Sequence, residues 1–332
     1  MFKTIKKFKI ILTVLIIFFF ILFLLSRGFI YKKEHISYGI TFSKKKSIDL
    51  GLDWKENYLA ILDDLGVKKI RLSAYFDEVE KENNIWTWED LDWQIDEAGK
   101  RGAEIILALG MRLPRWPECH PPKWFDSLNQ EEKDKETLEY IEEVVKRYEG
   151  KETIKIWQVE NEPFLPNFGE CPDLDKDFLD LEIALVRELD SRPILITDSG
   201  ELSLWVPAAS RADIFGTTMY RDTYSEVFKR YIHYPIEPGF FRFKRNISRL
   251  FVNPEKWLVI ELQAEPWGPE PFEELSREER DKTMSYEKFL EIIEFSRKTG
   301  FREFYLWGAE WWYWEKEINN EGRFWERAKG LF

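Results

Sequence analysis

The chain has 332 residues, enough for one large domain or two small ones, and carries a formal net charge of −12. Residues 1–33 hold seven of the 49 Lys and Arg and no acid, so the remaining 42 basic and 61 acidic residues leave the body at −19. A body this acidic repels phosphates, which argues against nucleic acid as a partner. Two cysteines and three histidines are too few for a rich zinc site, and no metal or organic cofactor is expected.

Lys3, Lys6, Lys7 and Lys9 precede an apolar stretch from Ile10 to Leu25. Positive then apolar is the layout of a signal peptide or signal anchor. No small-x-small cleavage site follows in Ser26–Lys33, so the segment reads as a retained, single transmembrane helix with the lipid bilayer as partner of residues 10–25. Arg27, Lys32 and Lys33 follow it, a smaller basic group than the one before it. That small bias favours a single-pass membrane protein with its body extracytoplasmic. Residues 1–33 are thus expected to form the anchor and a short juxtamembrane segment, and 34–332 the main domain.

From residue 38 onward, strand-like and helix-like runs alternate. Strands are expected at 38–42, 68–73, 103–110, 154–161, 193–198, 214–220, 256–262 and 303–308. Several are short continuous apolar runs, such as Ile105 to Leu109 and Ile194 to Ile196, which suit strands buried on both faces. Helical patterns lie at 54–65, 89–101, 130–148, 174–190 and 285–299. Gly66, Gly102, Gly150 and Gly300 each follow a helix and precede a strand, where glycine supplies a left-handed cap. Eight strands with intervening helices predict an α/β fold, a single (β/α)8 TIM barrel. An open doubly wound sheet is the alternative, but it would carry a glycine-rich loop after its first strand. Thr41 to Lys46 has no glycine. The segment 221–253 is expected to combine loop with a short helix near 242–251.

Two glutamates end strand-like runs: Glu162 in Trp157-Gln158-Val159-Glu160-Asn161-Glu162-Pro163, and Glu261 in Trp257-Leu258-Val259-Ile260-Glu261. A carboxylate at the C-terminal end of a barrel strand reads as catalytic. Two such groups across one cleft can cleave an acetal. Glu160 and Glu310 read instead as structural hydrogen-bonding residues.

The run ending in Asn-Glu-Pro resembles the fourth-strand motif of the cellulase-like glycoside hydrolases of clan A. The likeness extends to Arg71 after the second strand, Tyr220 after the sixth, Glu261 on the seventh and Trp307 on the eighth. It implies a retaining glycosidase with Glu162 as acid/base and Glu261 as nucleophile. The substrate would be an oligo- or polysaccharide, with O-glycosidic, β-linked bonds. Arg71 and the Tyr220 hydroxyl would keep Glu261 ionised. Trp157, Phe164 and Trp307 would form the apolar wall that raises the pKa of Glu162. Asn161 would donate to the sugar 2-hydroxyl, and Trp307, Trp116 and Trp311 would line sugar subsites. The alternative of another class is a catalytically silent, membrane-anchored glycan-binding protein on the same barrel. The chain departs from the best-known cellulases in lacking a histidine beside Tyr220.

Cys119 and Cys171 follow the third and fourth strands, so a barrel sets their loops side by side. Outside the cytoplasm they could join in a disulfide; two unrelated buried thiols are the alternative. A metal site from Cys119, His120 and Cys171 lacks a fourth ligand.

Overall fold

A computed structural model describes residues 35–332 apart from 167 and 174, together with residue 13 alone in the N-terminal segment. The expected anchor at 10–25 therefore lies outside the described residues, residue 13 aside. Among the described residues no helix is long and apolar enough to cross a membrane.

Eight parallel strands close into a barrel: β1 (Ser37–Thr41), β2 (Lys69–Ser73), β3 (Glu104–Leu109), β4 (Ile154–Val159), β5 (Ile194–Asp198), β6 (Ile214–Met219), β9 (Lys256–Gln263) and β10 (Glu303–Trp307). Each expected strand is present within two residues at either end. β1 and β10 pair in parallel, Ser37 with Glu303 through Thr41 with Trp307, which shuts the barrel and leaves it no open edge. The strands are near-continuously apolar because both faces are covered. Ile106, Ile156, Leu195, Ile214, Leu258, Ile260 and Tyr305 form one buried cluster, separate from the main core.

The five expected helices occur at Trp54–Asp63, Glu89–Lys100, Gln130–Arg147, Lys176–Leu189 and Tyr286–Lys298. Their starts are encoded locally. Asp53, Asn129, Asp175 and Ser285 accept hydrogen bonds from first-turn amides, and Asn129 with Glu132 makes a full capping box. Gly66, Gly102, Gly150 and Gly300 all adopt positive φ, as left-handed helix caps require.

The segment 221–253 differs from expectation. It begins with an antiparallel hairpin, β7 (Asp222–Ser225) and β8 (Arg230–His233), followed by a helix at Pro238–Ser248. Alternation over only four residues per strand is too brief to read from sequence. The helix starts earlier than expected because Pro238 sits in its first turn, where proline is favoured.

Candidate active site

The two glutamates reach the same end of the barrel by different routes. β9 carries Glu261 inside its last turn of register, opposite Thr218 of β6. β4 ends at Val159, and the chain then passes through Glu160 at φ 57° and Glu162 at φ 46°. These left-handed conformations are costly for residues with a Cβ and persist only where neighbours hold them. Here the Glu160 carboxylate accepts the backbone N–H groups of Met111 and Arg112 at 2.6 and 2.7 Å. Gly110 makes room for it: a Cβ at that position would lie 2.3 Å from Glu160 Oε1. The backbone N–H of Glu162 donates to Thr197 Oγ1 at 2.8 Å.

Arg71 of β2 is completely buried and organises the floor of the site. Its Nε donates to Gln158 Oε1 at 2.8 Å, Nη1 to Glu261 Oε1 at 2.7 Å and Nη2 to Asn161 Oδ1 at 2.6 Å. The Tyr220 hydroxyl donates to the other Glu261 oxygen at 2.8 Å. Both oxygens of Glu261 are thus engaged as acceptors, the bonding pattern of a carboxylate.

Glu162 is surrounded differently. Thr218 Oγ1 donates to its Oε1 at 3.2 Å. Burial pushes its carboxyl well above the ordinary range, and the charges of Glu261, Glu118 and Asp198 push it further; Arg112 opposes them. The apolar wall is not Trp157. That indole packs in the core with the Arg192 guanidinium 4.5 Å from its ring, because Trp157 alternates with the site-facing Gln158 along β4.

Asn161 is oriented by its partners. Oδ1 is held by Arg71 and is also within reach of Gln158 Nε2 and Thr197 Oγ1, both at 3.3 Å. Nδ2 then donates to Glu118 Oε2 at 3.2 Å. Glu118, a third buried carboxyl, was not read from the sequence. Burial, then the charge of Glu261, pushes it up to about 8. The signal was its place beside Cys119. Cys119 and Cys171 are joined in the structure, with Cα atoms 5.3 Å apart, and this bond ties the Glu118 loop to the loop after β4.

Trp307 closes another side. Its Nε1 donates to Glu265 Oε1 at 2.7 Å, and the Arg115 guanidinium lies 4.2 Å from its ring centroid. Arg115 also pairs with Glu265 and with Glu310, the latter at 2.9 Å, while Glu310 accepts the Ser43 N–H at 2.5 Å. Loops after β1, β3, β9 and β10 are therefore clasped by one buried ion cluster. Arg115 covers one face of Trp307, which is itself buried, 5% exposed.

The remaining tryptophans separate. Trp116 is 66% exposed beside a cavity of about 510 Å³ that Lys45, Asp77 and His120 also line. Trp311, expected at a subsite, is 1% exposed: its ring packs on Phe324 with centroids 4.5 Å apart, and Nε1 donates to Glu315. It follows Trp307 by four residues, but the helix Ala309–Glu317 turns its side chain into the core. Among the described residues no group of His, Cys, Asp and Glu is arranged to hold a metal ion.

The structural neighbours of this closed eight-stranded parallel barrel are clan A glycoside hydrolases. An exo-β-1,4-mannosidase from Opitutaceae bacterium strain TAV5 superposes with a TM-score of 0.58 and 15% identity over 90% of this chain and 60% of that one. A β-galactosidase from the haloarchaeon Halorubrum lacusprofundi gives 0.55 and 15% identity, over 82% of this chain and 52% of its own. A family 10 endo-β-1,4-xylanase from Gloeophyllum trabeum gives 0.55 and 15% identity over 82% and 83%. The chain thus spans less than two thirds of the length of the mannosidase and the galactosidase. These likenesses establish the fold. No family model matches the sequence, and no curated protein does.

Proposed function

We propose that this chain is a retaining glycosidase that cleaves β-linked O-glycosidic bonds of an oligo- or polysaccharide, with Glu261 as nucleophile and Glu162 as general acid/base. The observation that carries this reading is the contrast between two carboxyl groups at one barrel end. Glu261 receives a guanidinium donor and a phenol donor, while Glu162 is buried with one hydroxyl donor and its proton held by neighbouring charge. Environments that drive two acids apart in this way define the acid and base roles.

In the first step a Glu261 oxygen attacks the anomeric carbon while Glu162 protonates the departing oxygen. In the second, Glu162 takes a proton from water as it displaces Glu261, and its proton is restored. Arg71 and Tyr220 position the nucleophile, and Arg71 with Thr197 fixes the amide of Asn161 beside it. Trp307, buried at the barrel mouth, floors the subsite at the cut, and exposed Trp116 serves a more distant subsite.

The body is placed outside the cytoplasm, held by residues 10–25. The Cys119–Cys171 bond supports that placement, since such bonds persist in oxidising compartments. The decisive experiment incubates the detergent-solubilised chain with aryl β-glycosides, β-mannans, β-xylans and β-glucans and follows the first-released anomer by NMR. The β anomer is expected. First release of the α anomer would overturn the double displacement. Binding of these glycans with no turnover would favour the silent receptor.

A further inference from the structure

One basic stretch of this acidic protein leads to the end of the barrel away from the acids. The stretch 238–254 has Arg242, Lys244, Arg245 and Arg249 and no Asp or Glu. It contains the helix Pro238–Ser248. Toward the active end Lys244 is tucked in, donating to Gly200 O at 2.7 Å beside the Trp205 ring. Toward the other end the chain enters the start of β9, and there Ile247, Leu250 and Phe251 are 43%, 75% and 71% exposed. The side chains of Arg242 and Arg249 have no ion pair among the described residues; burial lowers the proton affinity of Arg245, and the charges of Arg249 and Arg242 lower it further. Contiguous exposed apolar side chains rimmed by arginine mark an interaction surface.

The same end is where the chain enters the barrel. His35, Ile36 and Ser37 line one cavity with Arg245, Arg249 and Arg302, and with Glu255, Lys256 and Glu303, of which Lys256 and Glu303 form an ion pair. Only residues 26–34 separate this point from the apolar stretch 10–25, and nine residues reach at most about 30 Å. Arg27, Lys32 and Lys33 lie in that connection. We propose that this end of the barrel, through Ile247, Arg249, Leu250 and Phe251, rests on the anionic surface of the bilayer that holds the N-terminal segment. The proposal rests on the anchored reading above. Anionic headgroups complement the arginines, and the leucine and phenylalanine enter the headgroup boundary. Because the acids sit at the opposite end of the strands, this contact turns the mouth of the barrel away from the lipid toward soluble or wall-bound polysaccharide.

The test uses the full chain in vesicles of neutral or 30% anionic lipid, with Phe251→Cys or Leu204→Cys carrying an environment-sensitive dye. Leu204 is 81% exposed in the loop after β5, at the active end. Flotation with the vesicles first reports whether the anchor inserts. The expected result is quenching of the dye at 251, not at 204, by lipids spin-labelled near the headgroup, stronger with anionic lipid. Arg249→Glu with Leu250→Asp should remove it and leave turnover of a soluble aryl glycoside unchanged. Flotation with equal quenching at both positions would overturn the docking and leave the anchor standing. Failure to float would overturn both. A dye at 251 already shielded before lipid is added would point to a second copy as the occupant and also overturn the proposal.

Discussion

Thr218 stands opposite Glu261 in the β6–β9 register, and its hydroxyl donates to Glu162 at 3.2 Å. One residue of β6 therefore pairs in register with the strand position of one acid and hydrogen-bonds the carboxyl of the other. The roles assigned to them differ in what a substrate demands. Glu261→Gln should abolish turnover on every glycoside, because no covalent intermediate forms. Glu162→Gln should cost about 10²–10⁴-fold on alkyl or sugar leaving groups and far less on dinitrophenyl glycosides, which leave without a proton. Equal losses across leaving groups would show that the roles are misassigned.

The pH profile should carry the signature of Glu162. The acid must be protonated for the first step, so kcat/KM falls as pH rises through its pKa. Burial and three neighbouring acids push that pKa well above the ordinary carboxylate range, and the basic limb should lie there. Glu162→Gln, measured on an activated substrate, should lose the limb. A limb that persists in this variant would assign it to another group.

Behind the site, Glu160 and Glu182 share a buried hydrogen bond. Glu160 already accepts two backbone donors, so Glu182 holds the proton. Burial raises both, Glu160 to about 7 and Glu182 well above the ordinary value. The native state then binds more protons than the unfolded chain once pH passes about 4.5, and stability falls as pH rises from there to about 7 and beyond. Glu182→Gln keeps a donor and removes the titration. Its melting temperature should drop less between pH 5 and pH 8 than that of the parent chain. An unchanged slope would mean that the pair does not govern this loss.

Much of the barrel was legible because its strands are apolar runs and its helices end in glycine. Glu162 and Tyr220 were legible because each follows the end of a strand, and Glu261 because it lies near the end of β9; Arg71 lies in the middle of β2, not after it, and only the resemblance pointed to it. Glu118 and Arg115 were not, since they lie in a loop whose path depends on a disulfide and on contacts with residues over 100 positions away, such as Glu265. Trp311 misled for the opposite reason. Proximity in sequence to Trp307 placed it near the site, but helical geometry turned it inward. In that nine-residue helix, with four consecutive Trp and Tyr residues, the charged Glu310, Glu315, Lys316 and Glu317 are spread around the axis, so no single polar face reveals which side chains turn inward.

The cystine joins the loop carrying Glu118 to the one following Asn161 and Glu162. It closes a separation of 52 residues, which in the chain-entropy model stabilises by about 4 kcal/mol. Cys119→Ser with Cys171→Ser should lower stability by up to that amount in urea unfolding. Freed of the tether, Glu118 and Asn161 lose their fixed placement, and displacements near 1 Å cost up to about 10²-fold in rate. kcat is therefore expected to fall more than KM rises. A double variant with parental kcat would confine the bond to a stabilising role.

The buried cluster of Arg115, Glu265 and Glu310 depends on one cation for its balance. Arg115 is 6% exposed and pairs with both acids, while Glu265 Oε2 is buried without a partner. Arg115→Ala would strand two carboxylates away from water. Breaking a buried pair in this way costs about 3–5 kcal/mol. The same change removes the guanidinium from one face of Trp307 and loosens the ring at the cut, so kcat should fall as well. Combining Arg115→Met with Glu265→Gln and Glu310→Gln removes all three charges together. That triple variant should recover most of the lost stability, because the cost lies in unpaired charge and not in the loss of attraction. It should not recover kcat, since the methionine cannot hold Trp307 as the guanidinium does. An Arg115→Ala chain within about 1 kcal/mol of the parent would show that the two acids take up protons at little cost, and the cluster would then be a positioning device alone.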